Sequence, residues 1–249
     1  MNWPIRFLIA ALCASLSLPA AEEAGQSLAE RNLRRIAERQ RAVLATAAKQ
    51  GENLDEGSLR QQMQSISHDY ELLLRDNPSY ATAYAAYGYF LSKTSMRKEA
   101  AVMLLKANRL DGDIPLVKNQ LGTLLAEARD DFIKSGEWTR VALERAMHQA
   151  FKRAAELAPE RFEFAYRYAE SFYDLEAPDW NEAVKLWSDL EEKAPTAIER
   201  QTMRLHAANI LFKLAQPEHA HALLATVDEP SLQGQKQKLV AQPAETAKK

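Results

Sequence analysis

From residue 27 to about residue 227, apolar side chains recur three and four positions apart, and no stretch alternates with period two for long enough to form a strand. Leu121, Leu124, Leu125, Ala128 and Phe132 fall on one helix face, as do Ala100, Leu104 and Ala107. Prolines at Pro78, Pro115, Pro159, Pro178, Pro195, Pro217 and Pro230 divide the periodic stretches. This pattern predicts an all-α chain of ten helices in five antiparallel pairs, roughly 27–50 with 58–76, 81–93 with 96–110, 114–134 with 138–157, 160–175 with 179–193, and 197–215 with 217–227. Four of the helix starts place a capping oxygen three residues before an acid or amide: Ser27 with Glu30, Ser58 with Gln61, Asp179 with Glu182 and Thr196 with Glu199. Asp113 is placed to cap the helix that follows it. Residues 230–249 carry Lys236, Lys238, Lys248 and Lys249 but few apolar anchors, which predicts a disordered tail.

Recurring helix pairs raise the question of a repeat. Counted from Ala81, Tyr84, Tyr87, Gly88, Leu91, Ala100, Leu104 and Ala107 stand at positions 4, 7, 8, 11, 20, 24 and 27. The third pair has Leu121, Gly122 and Leu125 at 7, 8 and 11, then Phe151, Ala154 and Pro159 at 24, 27 and 32, with thirteen extra residues between. The fourth has Ala165, Tyr168, Ala169 and Phe172, a short insertion around Ala177 and Pro178, then Ala183, Trp187, Leu190 and Pro195. The fifth has Ala207, Ala208, Leu211, Ala220 and Leu224, whereas the first matches only at Tyr70, Leu73 and Pro78.

This recurrence resembles the tetratricopeptide repeat (TPR), loosely over 27–78 and closely over about 80–228. The resemblance implies a right-handed helical-pair solenoid, in which small residues at 8 and 20 let paired helices approach and large ones fill the gaps between pairs. Tyr84, Tyr87, Tyr168 and Trp187 are then core. The chain divides into residues 1–21, a linker 22–26, a divergent or capping pair 27–78, repeats 79–229 and the tail 230–249. Shared between two helices, the third pair's insertion adds about 9 Å to each at ~1.5 Å per residue, with Lys134-Ser135-Gly136-Glu137 at the hairpin tip.

Residues 1–21 carry one charge, Arg6, ahead of an apolar run from Phe7 to Leu18 and the small residues Ala20 and Ala21. They read as a secretory signal peptide cleaved after Ala20 or Ala21, the run being well short of the ~20 residues of a membrane span. The lone cysteine, Cys13, fits a lipoprotein acylation site poorly, because Leu12 stands where such a signal has a small residue. Cleavage would leave no cysteine for disulfide, nucleophile or metal.

The 249 residues include 32 Lys and Arg against 34 Asp and Glu, a formal net charge of −2 that gives no nucleic-acid footprint. No phosphate loop, nucleophile elbow, metalloprotease helix or zinc pattern is present, so no enzyme activity, metal or cofactor is expected. Asp111-Gly112-Asp113 lacks the further ligands of a calcium loop. Of His68, His148, His206, His219 and His221, the last two point in opposed directions on a helix, and all five read as solvated or interface histidines.

By the resemblance, the first helices of the pairs line a concave groove at positions 2, 5, 6, 9, 12 and 13. Those offsets select Ala85, Tyr89 and Lys93, then Asn119, Gln120 and Thr123, then Tyr166, Glu170 and Tyr173, and finally Asn209 and Phe212. Rings with polar tips and amides suit an extended peptide or a partner helix. The carboxylate clamp of one subgroup is not supported, because Ala85 and Tyr89 hold its early positions. Arg31, Arg34, Arg35, Arg39, Arg41 and Lys49 make the first helix basic, a solvated face or one suited to anionic lipid or an acidic partner. The sequence thus predicts a non-enzymatic, exported and periplasmic interaction scaffold of a bacterial envelope, with a membrane-anchored assembly subunit as the alternative.

Overall fold

The computed structural model describes residues 27–50, 55–94 and 96–241, and the expected signal segment with Cys13, Ala20 and Ala21 lies outside them. Among the described residues are α-helices and short 3-10 turns but no strand. The chain divides into two units, one ending at Ser79 and one beginning at Tyr80.

The first unit is a single helix pair, α1 (Leu28–Gln50) against α2 (Glu56–Asp76). Ile36, Val43, Ile66, Tyr70, Leu73 and Leu74 are its buried apolar side chains. Tyr70 donates to Gln40 across the pair at 2.9 Å, which satisfies two buried polar groups at once. Ser27 and Glu30 form the expected reciprocal cap, the Ser27 amide donating to Glu30 at 2.6 Å and the Glu30 amide to Ser27 Oγ at 3.2 Å. The second helix is capped differently from the expectation. Asp55 accepts from the Ser58 amide at 3.1 Å, so Ser58 lies within the first turn.

The second unit stacks four pairs. They are α3 (Ala81–Lys93) with α4 (Arg97–Leu110), α5 (Pro115–Glu127) with α7 (Arg140–Leu157), α8 (Phe162–Ser171) with α9 (Trp180–Lys193), and α10 (Ala197–Lys213) with α11 (Pro217–Ala225). The stack propagates because α4 packs on α5, α7 on α8 and α9 on α10. Ala85, Ala107 and Val117 join the first and second of these pairs in one apolar cluster, and Ala154, Ala158 and Phe164 join the second and third. Tyr87, Tyr168 and Trp187 are buried, and Tyr84 is partly so.

Two glycines explain the small residue at repeat position 8. A methyl group on Gly88 would lie 2.8 Å from Leu104 Cγ, and one on Gly122 would lie 2.8 Å from the Phe151 ring. In both pairs the clashing partner stands at position 24, so the large residue there demands the small one at 8. Gly122→Ala is therefore expected to lose stability despite alanine's better helix propensity, overpacking costing about 1–3 kcal/mol against a gain of ~1 kcal/mol. Gly234→Ala, with nothing within 4 Å of the added methyl, is expected to gain up to ~1 kcal/mol. Thermal unfolding of both variants measures the contrast, and equal shifts would refute the packing argument.

The third pair departs from the uniform lengthening expected of it. The helix predicted over 114–134 breaks at Ala128 (φ −103°, ψ 17°) and resumes as α6 (Arg129–Lys134), with Phe132 buried beneath the hairpin. Gly136 takes φ 75° at the tip, a left-handed conformation that glycine adopts without a Cβ penalty. Asp113 does not cap α5. Its carboxylate pairs with Arg153 at 2.9 Å, and Pro115 opens that helix where no N–H is needed.

The disordered tail expected from residue 230 is corrected over its described part. Pro230–Leu232 forms a 3-10 turn and α12 (Gln233–Val240) follows it. Leu232 is buried with Val227 and Leu224, Leu239 packs on the same cluster, and Lys236 donates to the Val227 carbonyl at 2.8 Å. Two apolar anchors at helical spacing are enough to hold a short helix once α10 and α11 offer an open apolar end.

Candidate functional site

The residues at groove positions come from the first helix of each pair in the second unit. Tyr89, Asn119, Gln120, Thr123, Tyr166, Glu170, Tyr173, Asn209 and Phe212 are all partly buried, Lys93 is exposed, and Ala85 is buried. Half-burial of rings and amides is what a helix face lining a concavity shows, since it is neither core nor fully solvated.

The structure concentrates the aromatic chemistry in the last two pairs. Tyr166 on α8 meets Trp187 of α9 edge-on at 5.3 Å and His206 of α10 edge-on at 6.2 Å. Trp187 and His206 stack face to face, 4.0 Å apart and 7° from parallel. Tyr173 stands on a 3-10 turn, Phe172–Asp174, that ends the first helix of this pair. Its hydroxyl lies 3.2 Å from His206 Nδ1 and 3.4 Å from the His206 carbonyl, and it also bonds the Asn209 side chain. Burial raises the Tyr173 phenol to about 12, the Asn209 hydrogen bond opposing that shift, and burial pushes the Tyr166 phenol up as well. Desolvation holds His206 down to about 4, so its imidazole is neutral near pH 7. His206, expected to be solvated or at an interface, is instead the centre of a packed ring cluster.

The remaining candidates are arranged more loosely. Lys93 sits 5.3 Å over the Tyr89 ring, and Lys213 sits 5.2 Å over Trp180, which itself contacts Tyr173 at 5.8 Å. Arg167 pairs with Glu170 one turn away, and Asp174 pairs with Arg129 at 2.6 Å. Asn119 Oδ1 and Gln120 Oε1 are buried and accept no hydrogen bond. Phe212 belongs partly to the core, packed against the C-terminal cluster and edge-on to His221 at 5.2 Å.

A second polar network lies inside the third and fourth pairs. His148 Nδ1 is 2.9 Å from Ser171 Oγ, and Ser171 donates to the Tyr168 carbonyl at 2.6 Å, so the ring must donate to the serine. Tyr168 donates to Glu182 at 2.6 Å and Lys152 donates to the same carboxylate at 3.2 Å. Glu182 therefore does not complete the reciprocal cap expected with Asp179, whose side chain alone accepts from the Asn181 and Glu182 amides. His148, also expected to be solvated or at an interface, is buried, and desolvation lowers its pKa. Its ring serves as a hydrogen-bond donor within the packing.

A cleft of about 380 Å³ opens on another side, between α4, α5 and the lengthened hairpin, with Val102, Leu105, Leu121, Leu125, Phe132 and Trp138 in its walls. Ion pairs Lys98–Glu137 (3.4 Å) and Arg97–Asp131 (3.1 Å) join α4 to that hairpin. Among the described residues, no three His, Cys, Asp or Glu side chains come together as a metal set, and no helix is long and apolar enough to cross a membrane.

The stacked helix pairs have the fold of a tetratricopeptide-repeat solenoid. Among solved structures, YrrB, described as a TPR protein with an unusual peptide-binding site, is 16% identical, with 86% of this chain and 92% of that one covered at a TM-score of 0.54. A MamA structure is 12% identical over 84% of this chain and 99% of its own, TM-score 0.53. MamA 41-end from Desulfovibrio magneticus RS-1 is 10% identical over 76% and 93%, TM-score 0.51. No protein-family model matches the sequence, and no curated protein matches it.

Proposed function

We propose that this chain is an exported, non-enzymatic scaffold of a bacterial cell envelope that holds a peptide segment or a partner helix in the groove of its second unit. The observation that carries the reading is the uniform half-burial of Tyr89, Asn119, Gln120, Thr123, Tyr166, Glu170, Tyr173, Asn209 and Phe212 at equivalent positions of successive repeats. Part of each such ring or amide stays open to a ligand while the rest is held by the repeat packing. The peptide-binding site named for YrrB is compatible with it. Export rests on residues 1–21, a charged start followed by an apolar run and small residues at Ala20 and Ala21, and the periplasm is the destination that follows.

Tyr166 and Tyr173 also hold the ring cluster, so alanine there would confound binding with stability. Photo-crosslinking amino acids placed at Tyr89 and Thr123, in the full chain in its own cells, give a cleaner test. They are expected to capture one recurring envelope protein, while the same probe at exposed His219 on α11 captures none. Equal capture at His219 would remove the groove from the reading.

A further inference from the structure

The lengthened hairpin builds a second surface, and none of the groove residues lies in its walls. The cleft of about 380 Å³ has Val102 and Leu105 of α4 on one side and Phe132 and Trp138 of the hairpin on another. Lys98–Glu137 and Arg97–Asp131 tie the hairpin to α4, so the walls stand before any ligand arrives and a ligand is spared the cost of ordering them. Trp138 is half-buried and offers ring surface at the opening. Among the described residues six large apolar side chains are exposed, and three of them belong to the elements around this cleft. Met96 caps α4, Val102 is in the cleft wall yet 56% exposed, and Val141 opens α7 three residues after Trp138. The volume is at the small end of ligand pockets, which run from about 300 to 1,000 Å³. A free small molecule filling it would leave Val102 and Val141 in water, whereas the surface of a partner protein would cover them as well.

The charges at the cleft have a sign. Lys98, Glu99 and Glu137 are the charged side chains in its walls, and Lys98 is paired with Glu137. Glu99 is exposed and has no partner among the described residues, which leaves one negative charge over. Lys134 and Arg97 lie in an adjoining polar hollow that meets the cleft at Phe132, where the apolar surface ends. We infer that the cleft holds one bulky apolar side chain of a partner protein, aliphatic or aromatic, with a lysine or arginine beside it that reaches the Glu99 carboxylate. Apolar contact with Val102 and Trp138 supplies the affinity, and the charge pair sets the orientation. This site is separate from the groove and does not rest on the reading of it.

The test selects a random-peptide phage library on the full chain and measures the Kd of enriched peptides, made synthetically, by fluorescence anisotropy. The expected result is a set of peptides with a bulky apolar residue next to Lys or Arg. Val102→Glu, which puts a charge in the apolar mouth, is expected to weaken them roughly tenfold or more. Glu99→Gln should weaken them about two- to fivefold, the size of an exposed ion pair. Ile198→Glu makes the same change at an exposed aliphatic residue on α10 and should leave Kd within about twofold. If every enriched peptide is weakened by Tyr89→Ala and none by Val102→Glu, the cleft proposal falls and the groove reading stands. Enrichment of no peptide overturns the cleft proposal too. Peptides sensitive to Val102→Glu but indifferent to Glu99→Gln, or carrying Asp or Glu beside the apolar residue, overturn the charge assignment. A dimer in sedimentation equilibrium that Val102→Glu abolishes would place a second copy of this chain in the cleft and overturn the assignment to a different partner. Val102 is exposed and Glu99→Gln is nearly isosteric, so unchanged far-UV circular dichroism is expected of both variants, and the Glu99→Gln result stands without the other.

Discussion

Trp187→Ala is expected to destabilise the second unit by about 3–5 kcal/mol, the cost of emptying a large buried aromatic site. The side chain is 0% exposed and is the largest fully buried one among the described residues. It fills the space where α8, α9 and α10 converge, stacked on His206 and meeting the edge of Tyr166. Its indole N–H has no acceptor, so no hydrogen bond is forfeited and the whole loss comes from packing and cavity formation. In a solenoid that loss falls on the interface between neighbouring repeats, which hold one another up. The C-terminal repeats should therefore melt ahead of the rest, splitting one urea transition into two or lowering the melting temperature by roughly 10 °C. Trp187→Phe, which keeps a ring against His206, should recover a large part. A Trp187→Ala chain that unfolds within about 1 kcal/mol of wild type would show that this interface does not carry the stack.

The second large effect is on pH dependence. His206 binds its proton at about 4 in the folded chain against 6.5 for the ordinary imidazole, with burial among Tyr166, Tyr173 and Trp187 as the cause. Between those values the unfolded chain is protonated at this residue and the folded chain is not. Stability is therefore complete above about pH 6.5 and is lost as pH falls toward 4, a depressed base pKa favouring the unfolded state in acid. The amount is roughly 3 kcal/mol at one pKa unit per ~1.4 kcal/mol. His148 acts in the same direction, its desolvation outweighing the attraction of Glu182 for the charged ring. Urea midpoints from pH 7.5 down to 4 should fall in wild type and fall much less in His206→Phe, an aromatic replacement that keeps the stacking partner of Trp187. Parallel curves for the two proteins would show that His206 is not the titrating group. Because His206 bonds Tyr173 and meets Tyr166, the same acid step should also loosen the groove's aromatic end.

Much of the framework was legible because its determinants are local. Thr196 and Glu199 complete a reciprocal cap at the start of α10, as their spacing required, and α3 spans the residues its periodicity marked. The pairing of a small position 8 with a large position 24 was legible too, and Gly88 against Leu104 and Gly122 against Phe151 give it a steric cause. Local signals misled where two candidates competed within a few residues. Asp55 took the cap expected of Ser58, and Arg153 drew Asp113 away from α5.

The sequence alone determined helix content, pairing, repeat length and which small residues must face large ones, because these follow from interactions between residues at most one repeat apart. Only the tertiary structure decided that His148 is buried and His206 stacks on Trp187, that the chain after Pro230 closes the last pair, and that a break at Ala128 sets Phe132 under the hairpin. Each of these depends on which neighbour covers a given side chain across separate helices. A histidine on a helix face has the same local pattern whether water or a tryptophan lies opposite it, and only the packed stack places Trp187 there.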